Sequence, residues 1–166
     1  NNIQELEKFK TKFRDGDNII FTAANAPVKN EKMFSENIIM IKNFLLCFKD
    51  FPLGKILYVS SDAVYSDTRE YINENSETKP DSLHGIMHLT RENMLASYFK
   101  EKLIIVRPTL IYGYLDPHNG YGPNNFIRSA FSSKKISLFG KGEELRDHID
   151  IRLVSNLIIK IISYKK

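Results

Sequence analysis

Apolar residues follow two rhythms along the chain. Ile3, Leu6, Phe9 and Phe13 are spaced by three and four, which predicts an amphipathic helix over 3–13 that Asp15-Gly16-Asp17 breaks. Asn18 to Ala24 reads as a buried strand running into small residues, and Asn25 to Asn30 as a loop. Ser35 then caps a helix over Glu36 to Phe48, with apolar residues at 38, 39, 41, 44, 45 and 48. Ile56-Leu57-Tyr58-Val59 is a short run suited to a strand covered on both faces, and it ends at Ser60-Ser61-Asp62. Ser66 to Lys79 is a polar loop of a length usually kept for function. A helix from His84 to about Tyr98 follows, with Leu83, Met87, Leu95 and Phe99 inward and His84 and His88 one turn apart on one face. Leu103–Val106 is the next strand, and Pro108, which cannot donate to a ladder, must end it or mark an edge. Asp116 to Asn125 is a loop, Phe126 to Phe131 a helix, and Leu153 to Ile162 an apolar helix. Strands alternating with helices predict an α/β fold with a parallel sheet.

Composition narrows this little. A chain of 166 residues, 42% hydrophobic and 27% charged, is globular and long enough for one domain. A domain of that size buries roughly 70% of its extended-chain surface. No apolar run approaches the ~20 residues that span a bilayer, and the start is polar, so a cytoplasmic protein without membrane contact is expected. Cys47 reads as a buried thiol. The net charge of +4 comes from dispersed lysines, which argues against nucleic acid and leaves anionic small molecules open.

Ser60, Ser61 and Asp62 stand where open α/β sheets bind ligands, at the carboxyl end of a strand. Ser60-Ser61-x-x-Val64-Tyr65, followed some twenty residues on by His84-x-x-x-His88, resembles the extended short-chain dehydrogenase/reductases, the NAD-dependent nucleotide-sugar epimerases and dehydratases. In that family a strand ends in S-S-x-x-V-Y and a later helix carries Y-x-x-x-K. His84 stands in place of the tyrosine and His88 in place of the lysine. Asn18-Ile19-Ile20-Phe21-Thr22-Ala23-Ala24 resembles the strand whose end lies against the cofactor, Arg107-Pro108-Thr109-Leu110-Ile111-Tyr112-Gly113 resembles R-P-x-x-V-Y-G, and Ile136 to Ile151 resembles the family's strand, its G-x-G turn, here Gly140-Lys141-Gly142, and R-D-x-I-x-V, here Arg146 to Ile151.

The resemblance implies a partial Rossmann-like, doubly wound parallel sheet forming a single α/β domain over residues 1–166, with about 114–150 on the substrate side. It implies catalytic roles for Ser61, Asp62, His84 and His88. Ala23, Ala24, Ser60, His88 and Pro108 would face NAD or NADP, and Asn124 and Arg146 a nucleotide sugar; a homodimer is a further expectation. Histidine has a suitable free pKa, ~6.5, for acid/base work, though imidazole reaches less far than phenol. Two other readings of the pair stay open: histidines in a satisfied polar setting without chemistry, and a shared metal ion. Ala63 follows Asp62 where dehydratases of the family carry a second acid, which disfavours 4,6-dehydration. Leu110 and Leu153 replace an Asn and an Asp of relatives.

No G-x-x-G-x-x-G turn occurs in the sequence. The expectation is therefore that the N-terminal dinucleotide-binding half is absent and that β-strand edges are left unpaired, as in an excised piece, a natural remnant or a chain completed by another. Weak or no binding of NAD by these residues alone follows from that expectation.

Overall fold

A computed structural model describes residues 2–67, 71–116, 122–132, 134–138, 140–143 and 145–164, which divide into two compact units, 1–107 and 108–166. The first unit is built on three parallel strands in the order β1-β2-β3: β1 Ile19–Phe21, β2 Ile56–Val59 and β3 Leu103–Val106. Ile19 pairs with Ile56 and Ile56 with Leu103, so the strands run in step. Parallel strands need crossovers, here the helices α2, Glu31–Phe48, and α3, Leu83–Phe99. β2 is central, and Ile56, Leu57 and Tyr58 are all buried, which explains its unbroken apolar run. The outer edge of β1 carries no strand among the described residues.

The core of this unit joins Ile19, Phe21, Ile56 and Tyr58 of the sheet to Ile41, Phe44, Leu45 and Phe48 of α2 and Leu95 and Phe99 of α3. Phe21, Phe44 and Phe48 form a run of ring contacts about 5 Å apart that Phe13, three residues beyond the first helix, α1, Ile3–Lys10, extends edge-on. Each fully buried side chain of this size contributes on the order of 2 kcal/mol. Cys47 is buried beside them, as its apolar setting predicted. Gly16, at φ 84°, makes the break after α1.

Two helix starts differ from the sequence reading. α2 begins five residues before Glu36: Asn30, not Ser35, is the cap, its side chain accepting from Met33 N–H. An Asn with an acid directly after it satisfies the first-turn donors earlier than Ser35 could. α3 is capped by Ser82, whose Oγ accepts from Gly85 N–H 3.1 Å away, and Leu83 at its first position is exposed rather than inward.

The second unit pairs β4, Leu110–Tyr112, in parallel with β5, His148–Asp150. α4, Gly122–Phe131, starts earlier than expected, with Pro123 in its first turn, where a missing N–H costs nothing. α5, Ile151–Ser163, is capped by Asp150. The strand expected from Ile136 is not formed by the described residues 136–138, while Gly140 and Gly142 both take positive φ at the expected turn. Residues 117–121 of the expected loop, 68–70 of the polar loop, and Phe139 and Glu144 lie outside the described residues.

Candidate functional site

β2 delivers Ser60 and Ser61 to its carboxyl end, and the chain then makes a single 3-10 turn, Asp62–Val64. Ser61 caps that turn, its Oγ accepting from Ala63 N–H at 3.1 Å and donating to Asp62 Oδ1 at 3.2 Å. The first turn of α3 packs directly on it. A Cβ on Gly85 would stand 1.9 Å from the Ala63 carbonyl oxygen, so only glycine permits the approach. The contact places His84 within the electrostatic reach of Asp62. Ser61, Asp62 and His84 are thus gathered at one end of β2.

His84 and His88 stack edge to face, their ring centroids 4.7 Å apart. Burial lowers the pKa of His84, with Asp62 opposing. Burial, then the charges of His84 and Arg91, push His88 down to about 3. Behind His88 lies Tyr58, whose hydroxyl is 2.7 Å from His88 Nδ1 and whose pKa is pushed up to about 12 by burial. Beneath both is Arg91, 0% exposed, with Nη2 donating to the Ala23 carbonyl at 2.9 Å. Ala23 and Ala24 themselves are exposed just beyond β1.

A second network fixes the strand ends. Ser60 is buried and donates to Glu92 Oε1 at 2.5 Å. Glu92 also takes Arg107 Nε at 3.0 Å and Nη2 at 2.6 Å, and Arg107 Nη1 donates to Tyr65 at 2.6 Å. The hydrogen bonds to Glu92 raise the pKa of Arg107. The hydroxyl expected to face a cofactor at Ser60 is therefore turned onto α3. Asn37 is fully buried, exchanging hydrogen bonds with the backbone of Asn25: Oδ1 accepts at 3.1 Å and Nδ2 donates at 2.9 Å.

In the second unit Pro108 precedes β4, Asn124 is buried and donates to Asp116 Oδ2 at 2.8 Å, and Arg146 is exposed. The Arg146 carbonyl accepts from His148 Nδ1 at 3.0 Å. No group of three or more His, Cys, Asp or Glu able to hold a metal ion exists among the described residues. No helix among them is long and apolar enough to cross a membrane.

The sequence reading named neither Tyr58 nor Arg91 as a site residue. The signal for Arg91 was present, because positions 84, 88, 91 and 95 recur at helical spacing on the inward face of α3. Glu92 and Arg107 carry no such signal, since their meeting depends on strand order.

The model of the NAD dependent epimerase/dehydratase family matches residues 2–166. A dTDP-D-glucose 4,6-dehydratase of Dictyostelium discoideum is 30% identical, over 79% of this chain and 34% of its own length. A Bacillus cereus UDP-glucuronic acid 4-epimerase, solved with UDP-glucuronic acid and NAD, superposes at TM-score 0.86 with 21% identity, over 100% of this chain and 55% of that one. A dTDP-glucose 4,6-dehydratase from Bacillus anthracis, solved with NAD, gives TM-score 0.83 at 22% identity, over 99% and 53%. The chain thus spans about a third of the curated relative and just over half of the solved ones.

These matches correct one expectation. An absent N-terminal dinucleotide-binding half was inferred from one missing glycine turn, but the family match starts at residue 2 and the superposition follows the N-terminal half of the epimerase along the whole chain. The Rossmann-like dinucleotide-binding half is present in the chain. A glycine turn is one loop, whereas the fold is carried by the parallel strands and the helices packed on them, and these are in place. The chain belongs to the NAD dependent epimerase/dehydratase family.

Proposed function

We propose that this chain contributes the sugar-hydroxyl side of a site at which a nucleotide sugar is epimerised, dehydrated or reduced with NAD or NADP. One observation carries the reading: the first turn of α3 is seated on the Asp62–Val64 turn through Gly85, bringing His84 to the Ser61 and Asp62 end of β2. Ser61 and His84 would hold a sugar hydroxyl, His84 in place of the family's tyrosine and His88 in place of its lysine beside the ribose. Asn124 and Arg146 would contact the nucleotide sugar, the guanidinium fork suiting its phosphates. Residues 1–166 are read as one α/β domain.

The residues present leave room for such a cofactor. Ala23 and Ala24 are small and exposed beyond β1, leaving room for a flat ring at the end of a parallel strand. NAD, when bound, supplies the hydride acceptor. The chain's own groups supply orientation: the Arg91 bond to the Ala23 carbonyl fixes the end of β1, and Ser61 fixes the turn after β2.

A second reading is a module of the same fold that binds a nucleotide sugar without turning it over. Val28 N–H, 3.4 Å from His84 Nδ1, favours it, because an imidazole held there as an acceptor keeps its proton on Nε2 and has no lone pair left for a hydroxyl proton. The test is oxidation or epimerisation of UDP- and dTDP-hexoses by the longest protein carrying this chain, with and without His84→Ala. Turnover lost in the variant supports the catalytic reading; binding retained without turnover in either protein supports the second; no binding of any nucleotide sugar overturns both.

A further inference from the structure

The two imidazoles at the start of α3 each turn one nitrogen toward a partner inside the fold. At His84 the partner is a backbone N–H, which can only donate, so Nδ1 is the acceptor. At His88 the partner is the Tyr58 hydroxyl, which can donate or accept. Arg91 settles its sense. The guanidinium is wholly buried, 5.0 Å from the Phe21 ring centroid and 5.6 Å from that of Tyr58, and it faces the phenol oxygen. Its hydrogen-bond acceptors among the described residues are the Ala23 carbonyl and the thioethers of Met40 and Met87, with no carboxylate bonded to it, and its charge acts on Tyr58 against that of Glu92. A guanidinium has donors and no acceptor, and it draws the phenol lone pairs toward itself. The phenol proton therefore points the other way, onto His88 Nδ1.

We propose that Tyr58 and Arg91 are positioning residues that lock His88 as a neutral imidazole, Nδ1 bare and turned inward, with the proton on Nε2. With His84 held in the same tautomer by Val28, both rings carry their proton on Nε2. A ligand that meets the partly exposed His84 ring meets an N–H donor, so it is an oxygen acceptor, a hydroxyl or carbonyl oxygen. The depressed basicity of His88 agrees with this, since burial disfavours a positive ring there and the ring would sit between a second imidazole and a guanidinium. The choice of ligand rests on the nucleotide-sugar reading above; the tautomer does not.

The test is therefore made on the free chain. Long-range proton–nitrogen correlation spectra of the protein labelled with 15N-histidine report the tautomer of each of its four histidines, and His88→Gln assigns the ring in question. The expected spectrum shows His88 wholly as the Nε2–H form. In Tyr58→Phe, Nδ1 loses its donor and part of the population shifts to the Nδ1–H form, a change that general loosening of the core would not confine to one ring. A wild-type His88 carrying its proton on Nδ1 overturns the proposal outright, even if the variant fails to fold. An unchanged His88 signature in folded Tyr58→Phe overturns the role of Tyr58. Failure of any nucleotide sugar to bind leaves these spectra as they are, so the two readings fail separately.

Discussion

Gly85→Ala probes the contact on which the site is built. The added methyl would meet the Ala63 carbonyl oxygen at 1.9 Å and both the Ala63 carbonyl carbon and Pro80 Cβ at 2.8 Å. An ordinary carbon–oxygen contact is about 3.3 Å, so the helix start and the 3-10 turn must part by roughly 1.4 Å. Neither side is a flexible tip: one is backbone, the other a proline ring. Overpacking of this kind costs about 3 kcal/mol, at the upper end of the usual range. The gain in helix propensity from Gly to Ala returns about 1 kcal/mol. The net is about 2 kcal/mol of destabilisation, which at a urea slope near 2 kcal/mol/M moves the unfolding midpoint down by about 1 M. Urea titration followed by circular dichroism measures it, and the His84 ring resonances report whether the helix start has moved. A variant as stable as the parent, with His84 resonances unshifted, would refute the close packing of α3 on the turn and with it the gathering of Ser61, Asp62 and His84.

Three further outcomes follow from the same geometry. Arg107→Ala leaves the buried Glu92 with Ser60 as its remaining side-chain partner among the described residues and should cost about 3–5 kcal/mol in chemical denaturation, with Arg107→Lys recovering only part because an ammonium cannot make the fork. The folded-state pKa of His88, about 3, lies below the ordinary value of 6.5, so its contribution is present above pH ~6.5 and is lost as pH falls toward 3, at up to about 1.4 kcal/mol per pH unit; His88→Gln should flatten the stability profile between about pH 6.5 and 5. Asn37→Ala leaves the N–H and carbonyl of Asn25 without their partners, and should cost about 1–3 kcal/mol and speed amide exchange at Asn25, read by hydrogen-exchange NMR.

How far the sequence reveals this fold depends on whether a signal is periodic or pairwise. β2 and β3 were legible because a parallel strand covered on both faces is a run of four apolar residues, and α1 and α3 because their apolar spacing is helical. The start of α2 was missed because Ser35 and Asn30 are both good caps, and the hydrogen bond to Met33 decides between them only once the chain is folded. Ser60, Ser61 and the two histidines were legible as positions. Their hydrogen-bond sense was not: Val28 is 56 residues from His84, and Tyr58 looked like one more apolar residue of β2.

The distinction between position and hydrogen-bond sense bears on what a histidine can do where a tyrosine is expected. A tyrosine with a cation beside it becomes a base by losing its one proton. A histidine becomes a base only if the nitrogen facing the substrate is the bare one, and that choice is made on the far side of the ring. Here the far side of His84 meets Val28 N–H and that of His88 meets the Tyr58 hydroxyl, with Arg91 behind it. Each of these partners supplies a hydrogen to Nδ1, so each Nε2 keeps its own. Moving the pair from donors to bases therefore requires changing the buried groups behind the rings, Tyr58 and Val28, more than the histidines themselves.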